Sequence, residues 1–181
     1  MIRGARVLVF LVVASSLAGG CGVGAVQSPR VTPPSVPGGS GEAISPAIAQ
    51  TRTALVQALG TVRLILDDPR VPFRPAESPS MAEASRQVFQ AVLPDDPGHG
   101  YIAVYEFPTA TAASVAAADQ AAYVTSGPGR VQFPPDTQFV LRRLGSTVVF
   151  YAYSRENSPD PRVTDLVTAL GTVGEAVPIP R

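Results

Sequence analysis

Two runs rich in β-branched and aromatic residues, Gln138 to Leu144 and Thr147 to Ser154, flank Gly145-Ser146. A two-residue connection with glycine first is a hairpin turn, so this spacing predicts a β-hairpin. Tyr101 to Phe107 has strong β propensity and follows the dense turn cluster Pro94-Asp95-Asp96-Pro97-Gly98-His99-Gly100. With a strand over Arg86 to Leu93 it predicts a second hairpin. Elsewhere the period lengthens. Ser45-Pro46 reads as an N-cap with proline at the first helical position, and Ile48, Leu55, Val56 and Leu59 then share a face until Gly60, predicting a helix from Pro46 to Leu59. Val62 to Leu66 reads as a short strand ending at the turn Asp67-Asp68-Pro69, and the proline-rich stretch Val71 to Ser85 reads as a loop. Pro108-Thr109 opens an alanine-rich helix that runs to about Thr125 and stops at Ser126-Gly127-Pro128. Asp160-Pro161 caps a last helix with Val163, Leu166, Val167 and Leu170 on one stripe, ended by Gly171 and Gly174. The order α, β, β, β, α, β, β, α predicts an α+β domain: a mainly antiparallel sheet of about five strands with two or three helices packed on it.

The N-terminal pattern is of another kind. Arg3 and Arg6 precede an apolar run from Val7 to Leu17, too short to cross a bilayer comfortably, and the small residues Ala18-Gly19-Gly20 lead to Cys21, the only cysteine. That is the order of an export signal. Here the chain resembles the bacterial lipoprotein class, whose lipobox reads Leu, small, small, Cys; Leu17 stands one place further out than usual, and Ala18 takes its position. The resemblance implies cleavage after residue 20 and acylation of Cys21 by diacylglyceryl and palmitate-like chains. Ordinary secretion with cleavage after Val23-Gly24-Ala25, or an uncleaved anchor, are the alternatives. A lone thiol outside the cytoplasm has no internal disulfide partner, and lipidation removes that liability. Gly22 to Gly41 is built from Gly, Ser, Pro, Val and Thr without period, the composition of a flexible tether. The expected organisation is a signal peptide over 1–20, the lipidated cysteine and tether over 21–44, and one domain over 45–181.

Charge narrows the partners. All 14 basic residues are arginine, and with abundant Ala, Pro, Gly and Val this marks GC-rich coding. Arg3 and Arg6 leave with the signal, so 12 basic residues face 14 acidic ones, a formal −2. That balance gives no footprint for nucleic acid. From about Thr53 onward the layout resembles a group of uncharacterised extracytoplasmic lipoproteins of GC-rich bacteria. The likeness is carried by Val104-Tyr105-Glu106-Phe107-Pro108 running into the alanine-rich helix, by Gly145-x-x-Val148-Val149-Phe150-Tyr151, and by the amphipathic C-terminal helix. Pro134-Pro135-Asp136 stands where group members carry a Pro-Pro-His-Phe-Tyr stretch, without its histidine or aromatic pair.

Catalytic chemistry is sparse. His99 is the only histidine, and with Asp95 and Asp96 it forms the weak candidate for a metal site or a carboxylate-oriented base; a single histidine cannot complete a two-histidine site, and the segment reads first as a turn. Asp67-Asp68 repeats the acidic turn. Ser126-Gly127-Pro128-Gly129-Arg130 follows a helix instead of opening one and lacks the phosphate-loop ending. No Gly-x-Ser-x-Gly elbow occurs, and Glu106 and Glu156 are carboxylates without a visible partner. No cofactor is called for. Alternation places Tyr101, Tyr105, Tyr151 and Tyr153 on one sheet face, and tyrosine suits half-wet surfaces, so these four with Arg142 form the candidate contact surface. The expected protein is a membrane-anchored, extracytoplasmic, non-enzymatic binding or accessory domain, its partners the bilayer through Cys21 and an envelope protein or small ligand. A carboxylate-only hydrolase and a passive envelope component are the alternatives.

Overall fold

The Ser45 hydroxyl accepts from the Ile48 amide at 3.2 Å, and with proline in the first turn it starts α1, Pro46–Thr61, as the sequence predicts. The computed structural model describes residues 44–180, which belong to one compact unit. The expected signal, Cys21 and nearly all of the expected tether lie outside the described residues. No helix among those described is long and apolar enough to cross a membrane.

The strand expected over Val62 to Leu66 is a correction, because α1 does not stop at Gly60. Its end is a Schellman turn: the Leu64 amide donates to the Leu59 carbonyl and the Arg63 amide to the Gly60 carbonyl, with Arg63 at φ 57° where glycine is usual. Left-handed backbone costs a non-glycine residue about 1 kcal/mol. The cost is offset from across the fold, since Arg162 Nη2 donates to the Val62 carbonyl at 2.8 Å and to the Arg63 carbonyl at 2.9 Å. What remains of the strand is β1, Leu66–Asp67.

The next elements are α2 (Pro79–Ala82), a single turn inside the expected loop, then β2 (Ser85–Ala91), β3 (Tyr101–Glu106) and α3 (Ala110–Thr125). Ser126 closes α3 and caps α4 (Gly127–Arg130) by accepting from the Gly129 amide. The expected stop and turn therefore contain a one-turn helix. β4 (Gln138–Leu144) and β5 (Thr147–Tyr153) form the predicted hairpin, with Gly145 at φ 58°. α5 (Val163–Leu170) and β6 (Glu175–Ala176) complete the chain. The result is an α+β fold on a six-stranded antiparallel sheet in the order β1-β2-β3-β5-β4-β6. β6 lies beyond the sequence reading: two exposed residues carry no period.

Helices cover both faces. On one, Leu55 and Leu59 of α1 and Leu166 and Leu170 of α5 pack on Phe89, Ile102, Val104, Val149 and Tyr151. On the other, Ala113, Ala117 and Ala121 of α3 bring the helix down onto Ala103, Tyr105, Leu141, Val148 and Phe150. Each fully buried leucine contributes about 2 kcal/mol.

The tyrosine face expected from alternation is a second correction. The β3–β5 ladder pairs Ala103 with Phe150 and Val104 with Val149. Directly opposed residues share a face, so Tyr101 and Tyr105 lie with Phe150 on the α3 side while Tyr151 and Tyr153 lie with Val104 on the α1 side. A within-strand period cannot set the register between strands, and a shift of one residue exchanges the faces. Tyr105 and Tyr151 are moreover buried. Arg142 is spent internally, Nε on the Val173 carbonyl and Nη2 on the Gly174 carbonyl, both at 2.7 Å.

Candidate functional site: a cleft where the sheet forks

The β3–β5 ladder ends at Ala103 and Phe150, but β3 continues along β2 to the pair Tyr101 and Gln90, and β5 continues along β4 to Tyr153 and Gln138. The sheet therefore forks in its middle. The Phe107 amide donates to the Ser146 carbonyl at the closed end, so by alternation the next hydrogen-bonded rung past Ala103–Phe150 would join Tyr101 to Ala152. That rung is not made. A cleft of about 260 Å³ occupies this part of the molecule, lined by Gly100 and Tyr101 on one tine and by Phe150 to Ser154 on the other. Its volume lies just below the usual range for ligand pockets, about 300–1,000 Å³.

No residue of α1, α3 or α5 lines it. Two loops do, and each is fastened by polar contacts. The first carries Phe73 to Ala76. Phe73 stacks on Tyr101, ring centroids 4.5 Å apart, and the buried Gln120 amide holds the loop by accepting from the Ser78 amide at 2.6 Å and donating to the Ala76 carbonyl at 3.1 Å. Glu77, its side chain 3% exposed, accepts from the Tyr105 hydroxyl at 2.8 Å, from Arg74 Nε at 2.8 Å and from Arg86. Burial pushes the Tyr105 phenol far above its ordinary range, and the Glu77 carboxylate acts in the same direction.

The second loop carries Gln132, Phe133, Pro134 and Thr137. Arg130 donates to the Pro135 and Thr137 carbonyls, so the cation ending the glycine-rich motif is turned onto backbone. Phe133 meets Phe139 edge to face at 4.9 Å. Thr137 is buried, and its hydroxyl has no partner among the described residues. An unpaired buried hydroxyl costs about 1–3 kcal/mol.

The third wall contains the acidic turn. His99 lines the cleft, and its Nδ1 lies 2.5 Å from Asp96 Oδ1. The other Asp96 oxygen accepts from the Ser158 hydroxyl, so this buried carboxylate serves both partners. Gln90 Nε2 fastens the turn to the Pro97 and His99 carbonyls, and Gly100 must be glycine: its φ is 85°, and a Cβ would stand 2.3 Å from the Ala91 carbonyl oxygen. Asp95 is not part of the pair. It is exposed, and its amide donates to Asp160 Oδ2. Ser154 donates to both Asp136 oxygens, and that hydroxyl, more than any other contact, holds the Asp136 carboxyl below its ordinary range.

No family model matches this chain, and no curated protein or solved structure matches it either. The site has to be read from its own residues. Among those described, no group of three His, Cys, Asp or Glu side chains is placed to hold a metal. Glu106 closes the β3–β5 ladder at one end and Glu156 follows β5 at the other, so the two carboxylates are not brought together. Of the expected contact residues, Tyr101, Tyr151 and Tyr153 border the cleft while Tyr105 and Arg142 do not. Sequence reading missed Phe73, Arg74, Phe133 and Thr137. They sit in loops without period, and the one available signal was aromatic and arginine residues inside proline-rich turns.

Proposed function

We propose that this protein is a lipoprotein of the bacterial class, held on the outer side of a cell membrane through acylated Cys21, and that its domain is a non-enzymatic binding module whose forked cleft takes a small aromatic ligand. The observation that carries the binding part is the cleft itself: Phe73, Tyr101, Phe133 and Phe150 wall it, and polar residues including Arg74, His99, Ser154 and Ser158 complete its lining. Apolar walls with a few convergent polar groups are the usual build of a small-molecule site. Ser158 and Ser154 give their protons to Asp96 and Asp136, and neither donates to His99. The tether would keep the module within reach of the bilayer while letting it turn.

A second reading has one observation in its favour. A histidine whose Nδ1 rests on a buried carboxylate presents Nε2 in a fixed orientation, as a general base requires. Two experiments bear on these readings. With the full-length protein on phospholipid vesicles, saturation-transfer NMR with para-hydroxybenzamide should report binding that Phe73→Ala weakens; absence of binding would remove the cleft reading. Cys21→Ser should move the protein from the detergent phase to the aqueous phase, and unchanged partitioning would remove the anchor.

A further inference from the structure

Arg74 borders the cleft with only part of its guanidinium used. Its Nε is fixed by Glu77 Oε2, and neither Nη group meets an acceptor among the described residues. Glu77 also pairs with Arg86, so one carboxylate answers two arginines and the cluster keeps a net positive charge. The guanidinium is thus held in place with its outer edge free, the edge that accepts a carboxylate in bidentate fashion.

Around the rest of the lining the hydrogen-bond sense is reversed. Ser154 Oγ gives its proton to Asp136 and Ser158 Oγ gives its proton to Asp96. His99 Nδ1 also meets Asp96, and when the ring is uncharged with its proton on that side Nε2 is an acceptor. Asp96 and Asp136 are both engaged by these inner partners. What remains is a set of acceptors: the Ser158 hydroxyl oxygen, the Ser154 oxygen, which also accepts from the Asn157 amide at 3.3 Å, and the ring nitrogen.

We infer that the cleft selects planar aromatic carboxylates that carry a hydroxyl or amino donor on the ring, the carboxylate on the Nη edge of Arg74, the ring between the aromatic walls, and the donor toward Ser154, Ser158 and His99. The inference rests on the binding reading above and narrows it to a ligand class. Its test compares para-hydroxybenzoate with para-hydroxybenzamide, titrated by NMR into the full-length protein on vesicles of neutral lipid. The two probes have the same shape and differ at the group meant for Arg74, an anionic carboxylate against a neutral amide with one acceptor oxygen. The acid should bind about tenfold more tightly than the amide, the size expected for a charge-assisted pair over a neutral one. Arg74→Gln should erase that preference while leaving amide affinity within about twofold, and the retained amide binding shows that the variant is folded. Equal affinity for the two probes, or a preference that survives Arg74→Gln, overturns the carboxylate assignment and leaves the binding reading intact. Failure of both probes to bind overturns both.

Discussion

On one face of the sheet Leu55, Leu59, Leu166 and Leu170 reach down from two helices, and the layer is sealed by apolar contact from β1 across to β4. On the other face the alanines of α3 bring a single helix close, and none of its residues reaches the forked end. Loops fill that end instead, and Glu77, Gln120 and Arg130 hold them by hydrogen bonds. The difference shows how one small domain combines a stable frame with an open site. Large side chains exclude water from one layer. Small ones let the covering helix sit low, so that the part of the sheet it does not cover is reached only by polar-fastened chain.

The comparison is broken most directly on the sealed face. Val149 is fully buried on a central strand among the leucines, so Val149→Asp should cost at least 4 kcal/mol and abolish cooperative melting by circular dichroism. Normal melting would mean that this face is open. On the loop-covered face the corresponding break is Glu77→Gln. It removes the charge serving Arg74, Arg86 and Tyr105, and a loss of about 2 kcal/mol is expected, with faster amide exchange confined to residues 73–78. Exchange spread evenly over the domain would contradict the idea that this loop is held separately.

Alkaline pH tests the same loop by another route. Tyr105 and Tyr151 are both raised above the ordinary 10.0, each chiefly by burial. Below pH 10 the phenols are protonated in folded and unfolded chains alike, and their contribution is complete. Above it the unfolded chain loses protons that the native state keeps, so stability falls as pH rises. Denaturant midpoints should therefore drop above pH 10, and Tyr105→Phe should make that drop shallower while Tyr151 still contributes.

How much of this was legible in the sequence follows from which contacts are local. Ser45, Thr109 and Gly145 act on neighbours within three residues, and the helices and the hairpin they bound lie close to where the sequence predicts them. Arg63 reads as part of a strand because the residue that caps its carbonyl, Arg162, is far along the chain. The tyrosine surface failed for the same reason: the alternation within β3 and β5 is real, but the ladder register that splits it is set between strands. The cleft was the least legible feature. Its walls come from residues 73–76, 99–101, 132–137 and 150–158, and only the fold joins them.

The smallest expected effect separates two residues that the sequence presents as one turn. Asp96 is buried and bonded to both His99 and Ser158, whereas the His99 side chain is 51% exposed. Asp96→Ala strands the Ser158 hydroxyl and should cost about 1–2 kcal/mol. His99→Ala removes only an outer partner and should stay within about 0.5 kcal/mol, the usual range for exposed substitutions. Chemical denaturation of both variants decides between a frame and a site: equal losses would make His99 a structural strut of the turn. A small loss at His99 together with weaker para-hydroxybenzoate binding would assign it to the cleft, because a side chain that adds little to the fold yet alters the ligand's affinity is acting on the ligand. Zinc or calcium should leave the melting temperature of the unaltered protein unchanged, since a metal bound only to the native state raises it by mass action. A metal-dependent rise that His99→Ala removes would instead make this wall of the cleft a cation site.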